Sequence, residues 1–357
     1  MEAAAIDWSM GSRAAVLVDW GTAAETGRRV GGSGPPTPAV ERARLREDMA
    51  GIVPEAEAAI GEFTGLHANG FRSRPWVMSR GEWVRANLGG LQRLLEPLAG
   101  KLVPPGANRS ELRRKALGAQ IGGLLGYVSR KVLGQYDIFL PPDDDGLLYF
   151  VGPNVVEAER RYALPARDFR LWIAIHEVTH RVQFAGTPWL KPYLKGHVDR
   201  YLDTVQVDSR ELITQLKRAV YEIRAGADWR GPQGILLLMT EEQRALFARM
   251  QAMMALLEGH ASFVMNRVAA GRVRDLDRMR RALKARRQSG GVERGLQRAI
   301  GFETKIAQYD MGERFVRAVV DAAGMDAFNR IWEREEHLPT LEEIAEPARW
   351  VGRVAGS

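Results

Sequence analysis

Residues 168–184 read DFRLWIAIHEVTHRVQF, and their spacing predicts a helix that presents two histidines one turn apart. At about 100° per residue, His176 and His180 lie only about 40° apart on one face, so both imidazoles can bind one zinc ion. Glu177 points about 100° away from His176, toward a water in the open position of such a metal. The H-E-x-x-H pattern therefore predicts His176 and His180 as metal ligands and Glu177 as the catalytic base.

The helix face that carries the histidines is predicted to be buried, because Phe169, Trp172 and Ile173 share it. Buried imidazoles need partners, and a metal ion would supply one. The alternative is a pair of core histidines that are satisfied by backbone or carboxylate groups. The position of the motif inside a helix favours the metal.

A catalytic zinc needs a third protein ligand, which must be His, Asp or Glu because the chain contains no cysteine. Glu258 is the first candidate. It lies at the edge of the apolar stripe of a helix expected from about residue 241 to 269, which opens with a capping box from Thr240 to Gln243. A carboxylate half-drawn into an apolar face is stabilised by a cation, which can be zinc or, alternatively, an arginine.

Three further residues stay open as candidates for the third ligand. His260 flanks the same stripe about 160° from Glu258, so these two side chains do not readily share one metal. His260 can instead hydrogen-bond a developing oxyanion, which makes it a candidate transition-state stabiliser. His197 and Asp199 follow His180 at a short spacing, and either side chain has the chemistry of a zinc ligand.

The chain is expected to begin with an arm and linker in residues 1–40, followed by a single catalytic unit in residues 41–350. Residues 22–40 are rich in Gly, Thr, Ser and Pro, which predicts a loop. The catalytic unit is expected to comprise an N-terminal subdomain, residues 41–186, and a C-terminal helical subdomain, residues 187–350.

Strand signals are few, so the predicted fold class is mainly α, of the α+β type. Residues 38 to about 102 follow a helical pattern, whereas Tyr136–Leu140 and Leu147–Val151 flank a Pro/Asp/Gly cluster and predict a hairpin. This small sheet is expected to pack on the metal-binding helix. Leu147–Val151 is either an edge strand that pairs with an extended peptide substrate or a cap on the core.

The chain is basic, with a formal net charge of +7 and a pI near 9.8. Its arginines are spread along amphipathic helices, so a solvated surface is expected and a nucleic-acid partner is not. Residues 116–133 are apolar, but Arg130 and Lys131 leave them short of the roughly 20 residues that span a bilayer, so no membrane partner is expected. Glycines at every fourth position of this segment predict the close approach of a second helix. The N-terminus shows no signal-peptide core, which predicts cytoplasmic residence.

Several stretches of the chain together resemble the zincin-like hydrolases associated with deazaflavin-cofactor biosynthesis. These stretches are Trp83–Leu88, Leu133–Asp137, Phe150–Asn154, Asp168–Trp172, His176–Phe184, Pro188–Leu190 and Leu257–Ala261. The resemblance implies an α-rich zincin fold with a gluzincin-like site, in which His176, His180 and Glu258 bind the metal and Glu177 is the base. It also implies that small residues after Glu258 let its helix press against the metal helix. The association in the family name does not supply a substrate.

The leading hypothesis is a zinc-dependent hydrolase of a peptide or small amide substrate, with Zn²⁺ as its cofactor. The rival is a non-catalytic zincin-fold protein whose metal is structural or whose groove binds a peptide. The retained Glu177 favours the enzyme, because a structural site has no use for a base there. A weaker third hypothesis is a basic protein associated with nucleic acid. The sequence leaves the oligomeric state open.

Overall fold

The structure is a computed structural model that describes residues 13–70, 72–102, 110–138, 146–204, 239–288 and 302–356. These residues form a mainly helical protein with one small sheet, which confirms the predicted fold class. The chain divides into two compact units, residues 1–57 with 70–178 and residues 58–69 with 179–357. The arm in residues 1–40 and the subdomain boundary after residue 186 stay predictions.

The helices and strands of the two units are as follows. The first unit contains α1 (Trp20–Gly31), most of α2 (Ala39–Thr64), β1 (Arg74–Met78), α3 (Arg80–Leu102), α4 (Glu111–Ser129), β2 (Gly134–Tyr136), β3 (Leu147–Val151), α5 (Gly152–Arg161) and the first part of α6 (Ala166–Gly186). The second unit contains the ends of α2 and α6, followed by α7 (Leu190–Thr204), α8 (Glu241–Ala269), α9 (Leu276–Gln288), α10 (Phe302–Asn329), α11 (Leu341–Ala345) and α12 (Pro347–Trp350). None of the described helices has both the length and the apolar character needed to cross a bilayer.

Helix α1 occupies much of the segment predicted to be a loop. The prediction for residues 22–40 is therefore wrong for residues 22–31. Asp19 begins the helix, because its carboxylate accepts a hydrogen bond from the Thr22 amide at 2.7 Å. The glycines of α4 face α1, and a Cβ on Gly122 would overlap the backbone of Ala23. The close approach of a second helix is thus confirmed, and this packing stabilises a glycine-containing helix that local propensity disfavours.

The sheet has the strand order β1-β3-β2, with β1 parallel and β2 antiparallel to β3. The antiparallel pairing of two strands is therefore confirmed, but the first strand is Gly134–Tyr136 and shares only Tyr136 with the predicted Tyr136–Leu140. Residues 137–138 are not strand, and residues 139–140 lie outside the described residues. The helical prediction is wrong for residues 74–78, which form β1. Every side chain of β3 is buried, as expected for a central strand with a neighbour on each side. Of the two alternatives left open for Leu147–Val151, the edge strand is therefore wrong.

In the second unit, α8 and α10 approach each other through glycines. A Cβ on Gly259 would lie inside van der Waals contact with the backbone of Gly312, and one on Gly312 would overlap Ala255. Gly259, the small residue after Glu258, therefore lets α8 approach α10. The resemblance implied instead that small residues here let this helix approach the metal helix. This contact fixes the stretch of α8 that carries Glu258, because two backbones in direct contact leave little room for movement.

Candidate metal centre

Helix α6 carries the H-E-x-x-H residues, and the boundary between the two units falls within it, after Val178. His176, Glu177 and His180 are therefore positions of one continuous helix, and the helical spacing fixes their relative placement. The apolar residues predicted to share the histidine face are all buried: Phe169, Trp172 and Ile173.

The structure brings His176, His180 and Glu258 together. One potential ligand atom of each residue lies within 4.8 Å of those of the other two. Nε2 of His180 and Oε2 of Glu258 are 3.4 Å apart, and both side chains are partly buried. Glu258 is contributed by α8, which begins at Thr240 with the predicted capping box. A carboxylate distant in sequence thus reaches the histidine pair.

The separation between the ligand atoms of His180 and Glu258 fits a tetrahedral zinc site. With zinc–ligand distances of about 2.0–2.1 Å, neighbouring ligand atoms in a tetrahedron are about 3.3 Å apart. The separation of 3.4 Å between His180 Nε2 and Glu258 Oε2 agrees with that value. Two imidazoles and one carboxylate are also a donor set of hydrolytic zinc sites, in which the fourth position is left for water or substrate.

Glu177 lies against strand β2 and is only 8% exposed. A Cβ on Gly134 would be 2.6 Å from Cγ and 2.9 Å from Oε1 of Glu177, so only glycine allows the strand to come this close. Sequence reasoning did not identify Gly134 as part of the site. No local signal marks it, because the need for glycine arises from a contact with a residue distant in sequence.

The structure places His260 beside the predicted ligands, but with its ring fully covered. The ring is 0% exposed and stacks on Phe328 at 5.1 Å between centroids. Burial, with a smaller contribution from the charge of His180, lowers the pKa of His260 to about 3, so its ring is neutral. The role of transition-state stabiliser stays a prediction, and a covered ring would have to move before it could meet a substrate.

The two candidates at short spacing from His180 lie in different environments. His197 is buried, its Nδ1 lies 3.0 Å from the Tyr193 carbonyl oxygen, and its ring stacks on Tyr193 at 4.2 Å. Asp199 pairs with Lys195 at 2.6 Å. Among the described residues, neither joins the group formed by His176, His180 and Glu258.

Gln183 is a further residue of the site that sequence reasoning missed. It is 1% exposed and lies one turn after His180 on α6. Its Oε1 is 3.0 Å from Nδ1 of His180, and its Nε2 is 2.9 Å from both the Leu257 carbonyl oxygen and Nδ1 of His260. Its spacing from His180 was a weak signal, since residues three apart on a helix are neighbours.

Comparisons with known proteins find one similar solved structure and one matching family model. A crystal structure from Chloroflexus aurantiacus, described as a candidate hydrolase with a novel fold, is similar to the chain with a TM-score of 0.72 and 32% sequence identity. The match covers 96% of this chain and 100% of that one. A search of curated proteins finds no match. The model of the zincin-like metallopeptidase family matches residues 18–351, which is nearly the whole chain. The chain therefore belongs to the zincin-like metallopeptidase family.

Proposed function

We propose that this protein is a zinc-dependent hydrolase that cleaves peptide or amide bonds. The observation that carries the proposal is the convergence of His176, His180 and Glu258 within 4.8 Å. The two histidines lie on α6, which also holds Glu177, and Glu258 comes from α8. A structural zinc site is closed by four protein ligands and has no use for a buried carboxylate beside it. Membership of a metallopeptidase family and the similarity to a candidate hydrolase support the same class of reaction.

Each residue has a defined task in the proposed reaction. Zinc held by the three side chains would polarise the scissile carbonyl and acidify the attacking water. Glu177 would take a proton from that water and deliver it to the leaving amine. The contact with Gly134 holds the Glu177 carboxylate in place, so little reorganisation is needed before proton transfer.

Strand β2 supports a peptide as the substrate. It pairs with β3 on one side, and no other described strand pairs with it. An extended peptide would add to the sheet at this edge through backbone hydrogen bonds. Because Gly134 of β2 touches Glu177, a peptide bound there would run past the base. Strand β2 therefore takes the role that the sequence suggested for Leu147–Val151.

Metal removal tests the proposed function directly. We expect the purified protein to contain zinc and to hydrolyse members of a peptide library. Treatment with 1,10-phenanthroline should abolish hydrolysis, because the chelator removes the ion that polarises the carbonyl, and added zinc should restore it. Zinc content and product formation are measured on the same samples. Zinc-replete protein that cleaves no peptide would instead favour a structural role for the metal.

A substitution at Gly134 tests the position of the base without changing a proposed metal ligand. In Gly134→Ala the new methyl group would meet Glu177 Cγ at 2.6 Å and displace the carboxylate. We expect kcat/KM to fall by about 10²-fold, since small misplacements of reacting groups cost that much. Zinc content should not change, because Gly134 is not a proposed ligand.

The matched control for this experiment is Gly123→Ala, because a Cβ on that glycine meets nothing within 4 Å. It should retain wild-type turnover. Equal turnover in the two alanine variants would show that the contact between β2 and Glu177 does not position the base.

A further inference from the structure

The hydrogen bonds of Gln183 fix the orientation of its side-chain amide. The Leu257 carbonyl oxygen can only accept, so the amide atom at 2.9 Å from it must be the NH₂ group. The oxygen of Gln183 therefore faces Nδ1 of His180, at 3.0 Å. An amide oxygen only accepts, so Nδ1 of His180 must carry a proton and donate it.

The proton on Nδ1 determines which nitrogen of His180 can bind a metal. A neutral imidazole has one N–H and one lone pair, so a proton on Nδ1 leaves the lone pair on Nε2. Nε2 is the atom that lies 3.4 Å from Oε2 of Glu258, on the side where the proposed ligands converge. The amide thus favours the tautomer that the proposed metal site needs.

His260 completes the arrangement on the far side of the amide. The NH₂ group of Gln183 donates to Nδ1 of His260 at 2.9 Å, which leaves the proton of His260 on Nε2. Nε2 of His260 is buried and has no hydrogen-bond partner among the described residues. A buried N–H without a partner carries a free-energy cost, and the hydrogen bond that Nδ1 of the same ring accepts from Gln183 partly offsets it.

We infer that Gln183 is a positioning residue for the metal site. Its amide sets the tautomer and ring orientation of His180, and Leu257 and His260 fix the orientation of that amide. The inference rests on the proposed function for its metal, but the hydrogen bond itself can be tested without one. Metal-binding histidines commonly donate their second ring N–H to a carboxylate or backbone carbonyl. Here a side-chain amide would serve as that acceptor.

Two substitutions at Gln183 distinguish positioning from packing. Gln183→Met keeps an unbranched side chain of similar length but removes the acceptor, so we expect zinc affinity to fall by about 10–100-fold. Gln183→Glu keeps an oxygen toward His180, and we expect its zinc affinity to stay within about threefold of wild type. Both variants lose hydrogen bonds of the NH₂ group, so both should unfold at lower temperature than wild type.

Competition with a fluorescent chelator gives the zinc affinities, and thermal unfolding of the metal-free proteins gives their stabilities. A purely structural role predicts that zinc affinity falls equally in Gln183→Met and Gln183→Glu. That result, or unchanged affinity in Gln183→Met, would overturn the inference. Weaker binding in Gln183→Met alone supports it.

NMR with ¹⁵N-labelled histidine tests the hydrogen bond itself. In wild type, with or without zinc, His180 should show an Nδ1–H proton that is protected from exchange with water. The resonance is assigned by its loss in His180→Asn, and it should be absent or unprotected in Gln183→Met. If wild type bound no zinc yet showed this proton, the proposed function would fail while the hydrogen bond stood. If the proton were absent from wild type, the inference would fail whatever the metal content.

Discussion

Glu177→Gln should retain zinc and lose turnover by about 10³–10⁴-fold, because the amide has the shape of the carboxylate but cannot accept the proton of the attacking water. Glu177 is buried against Gly134, so a side chain of equal size should leave the local packing intact. Hydrolysis of the best substrate from the peptide library gives kcat/KM. Elemental analysis of the same preparation gives the zinc content.

The control for Glu177→Gln is Glu111→Gln. Glu111 is exposed, and its only ion pair among the described residues is with Lys115, one turn later on α4. This control should keep both zinc and turnover, since exposed ion pairs contribute little. If Glu177→Gln retained wild-type activity, Glu177 would not be the base, although the metal could still be catalytic. If it lost zinc as well, Glu177 would have a role in holding the metal.

The part of the site that lies on α6 could be predicted from sequence because helical spacing is a local rule. His176 and His180 are about one helical turn apart, and the structure brings them together with Glu258. Glu258 could be singled out because a carboxylate at the edge of an apolar stripe is unusual. Gln183 and Gly134 could not be identified in this way. Their importance arises from partners distant in sequence: Leu257 and His260 for the amide, and Glu177 for the glycine.

The errors in the predicted fold have similar physical causes. Local composition predicted a loop for α1, but an aspartate cap and contact with the glycines of α4 stabilise a helix there. Residues 74–78 were included in a long helical pattern, although pairing with β3 makes them a strand. That unexpected strand is also why Leu147–Val151 lies in the centre of the sheet and not at its edge. A short strand is defined by its neighbour, which periodicity alone does not show.

Glu258→Ala should weaken zinc binding by at least about 10³-fold, or roughly 4 kcal/mol, because it removes the only charged ligand of the three proposed. Only two protein ligands would then remain, and water would have to occupy the position of the carboxylate. Glu258 lies on a helix and its side chain is 20% exposed, so alanine should be tolerated by the fold. Zinc affinity is measured by chelator competition, and thermal unfolding of the metal-free variant checks its stability.

Glu242→Ala is the matched control, because Glu242 is an exposed residue near the start of the same helix. Its zinc affinity should equal that of wild type. Glu258→Gln provides a second test, since it keeps the size of the side chain and removes its charge. Its affinity should fall between those of wild type and Glu258→Ala, because a neutral amide oxygen is a weaker zinc ligand than a carboxylate. If Glu258→Ala bound zinc as tightly as wild type, the third ligand would be another residue, and the same measurement on His260→Ala and His197→Ala would be the way to identify it.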